Sequence, residues 1–286
     1  MIQDYKQINL YGKKVFEKAV VSPPFRFFYS MPDEACFFYL LKGSNAVYAP
    51  TEKQLVDRKE GVVMQCGSYF CDVLASDDSE FCEAVAVHLP LEVLRMIYDK
   101  EFPDFLLKVN EVQPLQLEKY ESSELLKSYI DNLQFYFDNP SIVTEEILKL
   151  KLKELILILA KTDNAETVKQ ILAGLFTRVE VEFKAVIEAN LYNNFSVEEL
   201  SKLTHLSLSS FKREFQKHYG TSPAKYIKEQ KLKKAAKLLK VTDLRVSSIA
   251  FDCGFSDLAH FSRSFQKFHG LSPSDFRLNV KDKSLD

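Results

Sequence analysis

Two arginines, Arg213 and Arg263, lie at the same place in a segment that occurs twice in the chain. The segments FKREFQKHYGTSPAKY and FSRSFQKFHGLSPSDF are offset by 50 residues and agree at eight of 16 positions. Internal repetition of this kind predicts one supersecondary unit that is used twice. An arginine guanidinium can donate two parallel hydrogen bonds to the edge of a guanine. The chemistry that this pattern suggests is therefore recognition of duplex DNA at two places.

Each copy of the repeat has the layout of a helix-turn-helix. In the first copy, Val197–Ser201 begins a short helix, a turn follows, and Ser207 is placed to cap the next helix. In the second copy, Val246–Ala250 takes the place of the short helix. Gly254 then falls in the turn, where a positive φ costs glycine little, and Ser256 is placed as the cap. The second turn is one residue longer than the first.

Apolar residues at helical spacing predict which face of each second helix is buried. They are Leu208, Phe211 and Phe215 in the first copy, and Leu258, Phe261, Phe265 and Phe268 in the second. Burial of that face leaves a set of residues for the DNA groove: Ser209, Ser210, Lys212, Arg213 and Lys217, and then Ala259, His260, Ser262, Arg263 and Lys267. The two arginines fit contact with base edges and contact with phosphate alone, so both interpretations stay open. Lys217 and Lys267, one turn further on, are expected at phosphate or in solvent.

A lysine-rich helix is predicted between the two units. Ser222 and Pro223 begin it, by capping and by the preset φ of proline. Up to Lys240 it has 18 residues, or about 27 Å. Adjacent major grooves on one face of DNA are about 34 Å apart. A rigid helix of this length is therefore predicted to hold two recognition helices in successive grooves, with some of its seven lysines at phosphate and most in solvent.

The segment from KLKKAAKLL to VSSIAFDCGFSDLAHFSRSFQKFHGLSPSDFR resembles the signature of AraC/XylS-type transcription regulators, and the resemblance covers about residues 180–280. It implies a C-terminal domain of seven helices, of which the third and sixth enter consecutive major grooves. By motif it assigns base-facing positions to Ser209, Lys212 and Arg213 in the first unit, and to Leu258, Ala259, Ser262 and Arg263 in the second. Leu258 and Ala259 depart from the polar residues often found there. The second helix-turn-helix is accordingly expected to contact thymine methyl groups or mainly phosphate.

The N-terminal part is predicted to contain a β domain followed by helices. Runs rich in Val, Phe and Tyr, separated by turn residues, fill residues 25–89 and indicate an antiparallel sandwich or small barrel. Pro90 is expected at the first position of a helix. Further helices are predicted over 117–138 and 144–161, with a break at Asn139-Pro140, and a short one over 165–176. The predicted domains are residues 1–115 for the β domain, 116–177 for a helical dimerisation and linker region, and 178–286 for DNA binding.

The N-terminal sequence also resembles the cupin-like regulatory domain of a subgroup of the same family, related to the activator of type III secretion genes. The segments that carry this resemblance are CFFYLLKG, KEGVVMQCGSYF and EAVAVHLPLEVLRMIYD. The resemblance implies dimerisation and control by this domain, through a small ligand or, in some members, a protein partner. The candidate pocket residues are Phe38, Tyr39, Tyr48 and Tyr69, which a plain core would also use. The candidate dimer contacts are Leu148, Leu152, Leu155 and Leu159, which fit packing on the β domain equally well.

Composition and charge limit the function classes. Residues 178–286 carry a net charge of +6 and residues 1–177 a net charge of −8, so the C-terminal part is expected to meet a polyanion. The five cysteines form no CxxC pair, which favours buried thiols, with redox sensing as the alternative. Only His88 lies in the β region, so no metal, cofactor or enzymatic activity is expected.

The first residues lack the apolar core of a signal peptide, and no apolar stretch reaches the length of a membrane span. The fold class expected from all these features is α+β: a cupin-like antiparallel β sandwich or barrel, a helical hairpin, and an all-α domain with two helix-turn-helix units. We predict a cytoplasmic, homodimeric regulator that binds double-stranded DNA and activates transcription. Contact with RNA polymerase is implied by the family resemblance.

Overall fold

The computed structural model describes residues 1–75, 79–99, 103, 117–121, 123–161, 165–175 and 182–282. The chain divides into two compact units, Met1–Val181 and Glu182–Asp286. Both predicted domain boundaries, after residues 115 and 177, lie outside the described residues. No helix in the described ranges has the length and the apolar character that crossing a bilayer requires.

Two antiparallel sheets form the framework of the first unit, as predicted. The described strands are β1 Ile2–Leu10, β2 Lys13–Val21, β3 Phe25–Met31, β4 Glu34–Lys42, β5 Ser44–Tyr48, β6 Lys53–Val56, β7 Gly61–Met64, β8 Gly67–Leu74, β9 Cys82–Pro90 and β10 Leu117–Tyr120. The larger sheet has the order β1-β2-β9-β4-β7-β10, and the smaller one has the order β3-β8-β5-β6. The sequence therefore folds into a sandwich whose two inner faces meet.

Strand β9 shows how the larger sheet serves two cores. Successive side chains of a strand point to opposite faces. Val85 and Val87 belong to the core that the sheet shares with the helices, whereas Ala84 and Ala86 belong to the core between the two sheets. Bulky residues therefore cover one face, and small residues leave space on the other.

The described part of the first unit has four α-helices, α1 Leu91–Tyr98, α2 Glu124–Asp138, α3 Glu145–Leu159 and α4 Ala165–Ala173, and one 3-10 helix, Pro140–Ile142. The leucines predicted for a dimer contact, Leu148, Leu152, Leu155 and Leu159, are buried in the core of their own chain. The apolar stripe of α3 thus packs inside the unit, which is the second of the two interpretations above. The opposite side of the helix exposes Leu150 and Leu157, by 66% and 50%.

Five features of the first unit differ from the sequence prediction. Strands β1 and β2 lie before residue 25, where the predicted strands begin. The sequence pattern did not predict β1 because it is an edge strand whose side chains are mostly exposed, and so it lacks apolar alternation. Strand β10 pairs with β7 where a helix was predicted. Helix α2 begins only after Ser123, whose hydroxyl accepts the Leu126 N–H at 3.1 Å. Pro90 is the last residue of β9 and the N-cap of α1, rather than its first helical residue.

The described part of the second unit consists of seven helices, the number that the family resemblance implies. They are α5 Phe183–Asn190, α6 Val197–Leu203, α7 Leu208–Tyr219, α8 Pro223–Val241, α9 Val246–Asp252, α10 Leu258–His269 and α11 Pro273–Asp282. The helix between the two repeats, α8, packs Leu232, Ala235 and Leu239 against Phe261 and Phe265. Helices α6 and α7 form one helix-turn-helix, and α9 and α10 form the other.

Candidate nucleic-acid interface

The two turns have the same backbone geometry at their start. In the first, the Leu206 N–H donates to the Ser201 carbonyl at 3.0 Å, and in the second the Phe255 N–H donates to the Ala250 carbonyl at 3.0 Å. The residue before each donor has a positive φ, 54° in the first turn and 75° at Gly254 in the second. The sequence repeat is therefore a structural repeat, and the predicted role of the glycine is confirmed.

The caps of the two recognition helices differ. Ser207 caps α7 as predicted, and its hydroxyl accepts the Ser210 N–H at 3.2 Å. The prediction that Ser256 caps α10 is wrong, because Asp257 is the cap. Its carboxylate accepts two backbone N–H groups at 3.0 and 2.9 Å. The extra residue of the second turn lies between the positive-φ glycine and the cap, and this moves the cap one residue along the chain.

Matching phenylalanines anchor the two recognition helices. Phe211 and Phe215 of α7, and Phe261 and Phe265 of α10, have no exposed surface. Leu208 is half-buried. Two residues predicted for the inner face of α10 are instead exposed, Leu258 by 39% and Phe268 by 40%. Both lie in the end turns of the helix, where packing against neighbouring helices covers less of the side chain.

The residues predicted to meet DNA lie on the accessible sides of α7 and α10. Ser209, Lys212, Arg213, Lys217, Leu258, Ala259, His260, Arg263 and Lys267 are exposed, while Ser210 and Ser262 are half-buried. Lys217 lies 3.2 Å from Glu214, and this contact lowers the pKa of the carboxyl group. Backbone hydrogen bonds lower the pKa of Asp257, so α10 begins with a carboxylate. Direct contact of any of these residues with DNA stays a prediction.

Two lysines of α8 donate hydrogen bonds to backbone carbonyls of the second unit. Lys231 is buried, and its ammonium donates to the Gly254 carbonyl at 2.9 Å and to the Asn193 carbonyl at 3.4 Å. Burial lowers the pKa of Lys231. Lys234 donates to the Asp252 carbonyl at 3.3 Å. Sequence reasoning placed these lysines at phosphate or in solvent.

The signal that could have identified Lys231 is its position. It lies four residues before Ala235, on the apolar face of α8. The lysines of α8 that are exposed are Lys225, Lys228, Lys233, Lys237 and Lys240.

A cavity of about 230 Å³ lies between the two sheets of the first unit. Of the four predicted pocket residues, only Phe38 lines it. Tyr39, the next residue of the strand, points to the other face and belongs to the core shared with the helices. Tyr69 is buried and donates its hydroxyl hydrogen to the Gln65 carbonyl at 2.7 Å, and Tyr48 is half-buried. Neither tyrosine is part of the cavity wall.

A buried carboxylate, Glu17, belongs to the wall of this cavity. It accepts hydrogen bonds from the hydroxyls of Tyr5, at 2.8 Å, and Tyr29, and lies 2.5 Å from the Lys14 ammonium and 3.1 Å from the His88 ring. Burial alone would raise the pKa of Glu17, but the contacts with His88, Lys14 and Tyr29 lower it to about 2. The group is therefore ionised. No set of three His, Cys, Asp or Glu side chains in the described ranges is arranged to hold a metal ion.

All five cysteines are free thiols. Cys36, Cys71 and Cys82 line the cavity, and burial raises the pKa of each, to about 12 for Cys82. Burial also raises the pKa of Cys253, to about 11. Because the thiolate is the reactive form of cysteine, the raised pKa values favour buried, unreactive thiols over redox sensing for Cys36, Cys71, Cys82 and Cys253.

Comparison with known protein families gives two matches. Residues 200–279 match the helix-turn-helix domain family, and residues 35–171 match the ExsA N-terminal regulatory domain. The virulence regulon transcriptional activator VirF of Yersinia enterocolitica is 25% identical over 228 residues, which cover 78% of this chain and 81% of VirF.

Two further similarities are shorter or weaker. The HTH-type transcriptional regulator ExsA of Pseudomonas aeruginosa is 28% identical over 111 residues, which cover 39% of this chain and 40% of ExsA. Among solved structures, ToxT of Vibrio cholerae aligns with a TM-score of 0.41 at 13% identity, over 93% of this chain and 98% of that one.

Proposed function

Because the chain belongs to the AraC family of DNA-binding transcription regulators, we propose that it binds specific duplex DNA by placing α7 and α10 in successive major grooves. The observation that carries this proposal is the structural repeat. Two helices with the same turn geometry and the same buried phenylalanines each expose an arginine at the matching position, Arg213 or Arg263. We place this activity in the cytoplasm, where the DNA is accessible.

The chemistry of the exposed side chains assigns their roles in this proposal. Arg213 and Arg263 donate to base edges, and the short polar side chains beside them add hydrogen bonds to bases or phosphates. Lys217 and Lys267, one turn further along, contact phosphate. The net charge of +6 over residues 178–286 supports the electrostatic part of the binding.

The first test is selection of bound sequences from random duplex DNA by the full-length protein. Enrichment of a two-part site is expected, and recovery of unenriched DNA would contradict sequence-specific binding. Affinity for the selected site should also fall steeply as salt rises, because phosphate contacts release counterions. A flat salt response would contradict the proposed phosphate contacts.

The second test compares two variants of α7. Arg213→Ala is expected to weaken binding to the selected site by about 1–3 kcal/mol and to relax the base preference in one half of it. Lys217→Ala is the control on the same helix, and it should weaken binding to selected and random DNA alike. An equal loss on both DNAs for Arg213→Ala would show that this arginine contacts phosphate alone.

The relatives named as activators support activation as the outcome of binding. We propose that the DNA-bound protein recruits RNA polymerase. Transcription in vitro from a promoter that carries the selected site should rise when the protein is added. Unchanged or reduced transcription would contradict activation.

We also propose a homodimer that uses the outer side of α3. The leucines buried in the core of the chain cannot form this contact, so the exposed Leu150 and Leu157 take that role. Sedimentation equilibrium should show a dimer that becomes a monomer in Leu150→Glu/Leu157→Glu. A monomeric wild-type protein would rule out the dimer, and a dimeric double variant would rule out this face.

For the N-terminal unit we propose that a small ligand binds between the sheets and changes the affinity for DNA. The cavity supports a small ligand over the alternative, a docking module for a regulatory protein. A ligand that binds only the folded state raises the melting temperature by mass action. Screening of small compounds by thermal shift, followed by DNA affinity with each compound that binds, tests the proposal. Binding of compounds without any effect on DNA affinity would favour the docking module.

A further inference from the structure

The cavity between the sheets exists because small side chains line one of its walls. Ala19 of β2 and Ala84 and Ala86 of β9 line one wall, and aromatic side chains of β3 such as Phe25 and Phe27 belong to the other. An apolar protein cavity of about 150 Å³ is enough to hold benzene. The 230 Å³ found here therefore fits a molecule somewhat larger than one aromatic ring.

One polar group in this apolar wall is unsatisfied. Asn45 on β5 is 99% buried and lines the cavity, and within the described part of the chain its Oδ1 atom has no hydrogen-bond partner. A buried acceptor without a partner is unfavourable, because it has lost its hydrogen bond to water. A bound molecule that carries an N–H or O–H group would supply the missing donor.

The charge in the wall limits the ligand further. Glu17 is a buried carboxylate, and Lys14 and the hydroxyls of Tyr5 and Tyr29 already satisfy it. It therefore needs no cationic ligand to balance its charge. A ligand carboxylate would lose its hydration here, and the described residues that line the cavity include no lysine or arginine to pair with it, so its burial would be unfavourable. These contacts favour a ligand without charge.

We propose that this cavity binds a neutral aromatic molecule of about two fused rings that donates one hydrogen bond to Asn45 Oδ1. This ligand class rests on the function proposed above, in which a small ligand binds between the sheets and changes the affinity for DNA. It excludes aliphatic and aromatic carboxylic acids as ligands of this cavity.

Three probes that share a two-ring aromatic frame test the proposal with the full-length protein. Indole carries one N–H donor, benzothiophene has the same outline without a donor, and indole-2-carboxylate adds a negative charge. Calorimetric titration should show indole binding about three- to tenfold more tightly than benzothiophene, which is the effect of one net hydrogen bond. Indole-2-carboxylate should bind at least tenfold more weakly than indole.

Variants of the wall show whether Asn45 causes the preference. Asn45→Leu should bind indole and benzothiophene equally, whereas Asn132→Leu, at an exposed position of α2, should keep the preference of the wild type. Ala86→Leu fills the cavity from the opposite sheet and should bind none of the probes, so it tests the site even if Asn45→Leu does not fold.

For the wild type, the proposal would be overturned by equal binding of indole and benzothiophene, by tightest binding of indole-2-carboxylate, or by binding of no probe at all. For the variants, it would be overturned if Asn45→Leu still preferred indole to benzothiophene, or if Ala86→Leu bound the probes as tightly as the wild type does. Selection of DNA sequences is measured without any probe, so failure of the ligand proposal and failure of the DNA-binding proposal are separate results. Preferential binding of indole that leaves DNA affinity unchanged would support the ligand class and contradict its regulatory role.

Discussion

Replacing Lys231 by methionine should destabilise the second unit more than the loss of any exposed lysine of α8. The ammonium of Lys231 joins the turn of the second helix-turn-helix, through the Gly254 carbonyl, to the segment before the first, through the Asn193 carbonyl. Methionine has a similar length and fills the same space, but it donates no hydrogen bond. The substitution therefore removes the bridge and leaves the packing of the helix nearly intact.

The expected loss of unfolding free energy in Lys231→Met follows from the two hydrogen bonds that the Lys231 ammonium donates. A bond from a charged donor contributes about 1.5–3 kcal/mol, and the contact at 2.9 Å is of this kind. The contact at 3.4 Å is long and adds less. Burial of the ammonium opposes these gains, as the lowered pKa of Lys231 shows. We expect a loss of about 2 kcal/mol, which corresponds to a melting temperature about 8 °C lower for a unit of roughly 100 residues.

The assay has to report on the second unit alone, because the chain has two compact units. Hydrogen exchange of peptides from α8 and α10, measured across a urea series, gives that unit's free energy of unfolding. Lys233→Met is the control, since Lys233 is exposed on the same helix, and its effect should stay within about 0.5 kcal/mol. If Lys231→Met were as stable as Lys233→Met, the two hydrogen bonds of the Lys231 ammonium would contribute no net stability to this unit.

Three further predictions concern single positions. Asp257→Ala should cost about 1 kcal/mol by the same exchange measurement, whereas Ser256→Ala should cost nothing, and the reverse order would restore the serine as the cap. Gly254→Ala should cost at least about 1–2 kcal/mol, because its φ is +75° and a Cβ atom would lie 2.5 Å from the Tyr192 carbonyl oxygen; an unchanged stability would contradict this. The pKa of Glu17 is lowered to about 2 in the folded state, so its contribution to stability is present above pH 4.5 and is lost as the pH falls towards 2. Acid titration of the unfolding free energy should show a drop of about 3 kcal/mol that Glu17→Gln removes, and an equal drop in that variant would assign it to other groups.

The helices that carry the candidate interface could be predicted because their signals are local. Phenylalanines four residues apart fix the buried face of a helix, and a side chain such as Ser207 caps a helix from the residue next to it. Because the segment is repeated, the phenylalanine spacing occurs in both recognition helices. Ser256 failed as a cap because a choice between two adjacent polar residues depends on the backbone path of the turn, and the sequence pattern does not contain that path.

The features of the β unit that sequence reasoning missed depend on distant pairing. Glu17 and Asn45 are polar residues that read as surface positions, yet the sandwich buries both at one cavity. Their burial follows from which strands become neighbours, and this is a property of the whole sheet. A local signal did exist in β9, where Ala84 and Ala86 alternate with Val85 and Val87. This alternation indicates that one face of the strand carries only small side chains, and that face lines the cavity.

The different caps of α7 and α10 help to decide what the second helix-turn-helix contacts, thymine methyl groups or mainly phosphate. Ser207 leaves the start of α7 uncharged, whereas the Asp257 carboxylate occupies two N–H groups at the start of α10. A negative charge at this end opposes an approach to phosphate. The exposed Leu258 and Ala259 are therefore better suited to thymine methyl groups than to the DNA backbone.

Uracil in place of thymine tests this assignment, because the two bases differ only by that methyl group. In the half of the selected site that α10 contacts, the exchange should weaken wild-type binding by about 1 kcal/mol for each buried methyl. Leu258→Ser should bind both DNAs equally, and the same exchange in the half contacted by α7 serves as the control. If the wild type bound the two DNAs with equal affinity in both halves, α10 would contribute no methyl contact, and its specificity would have to come from Arg263.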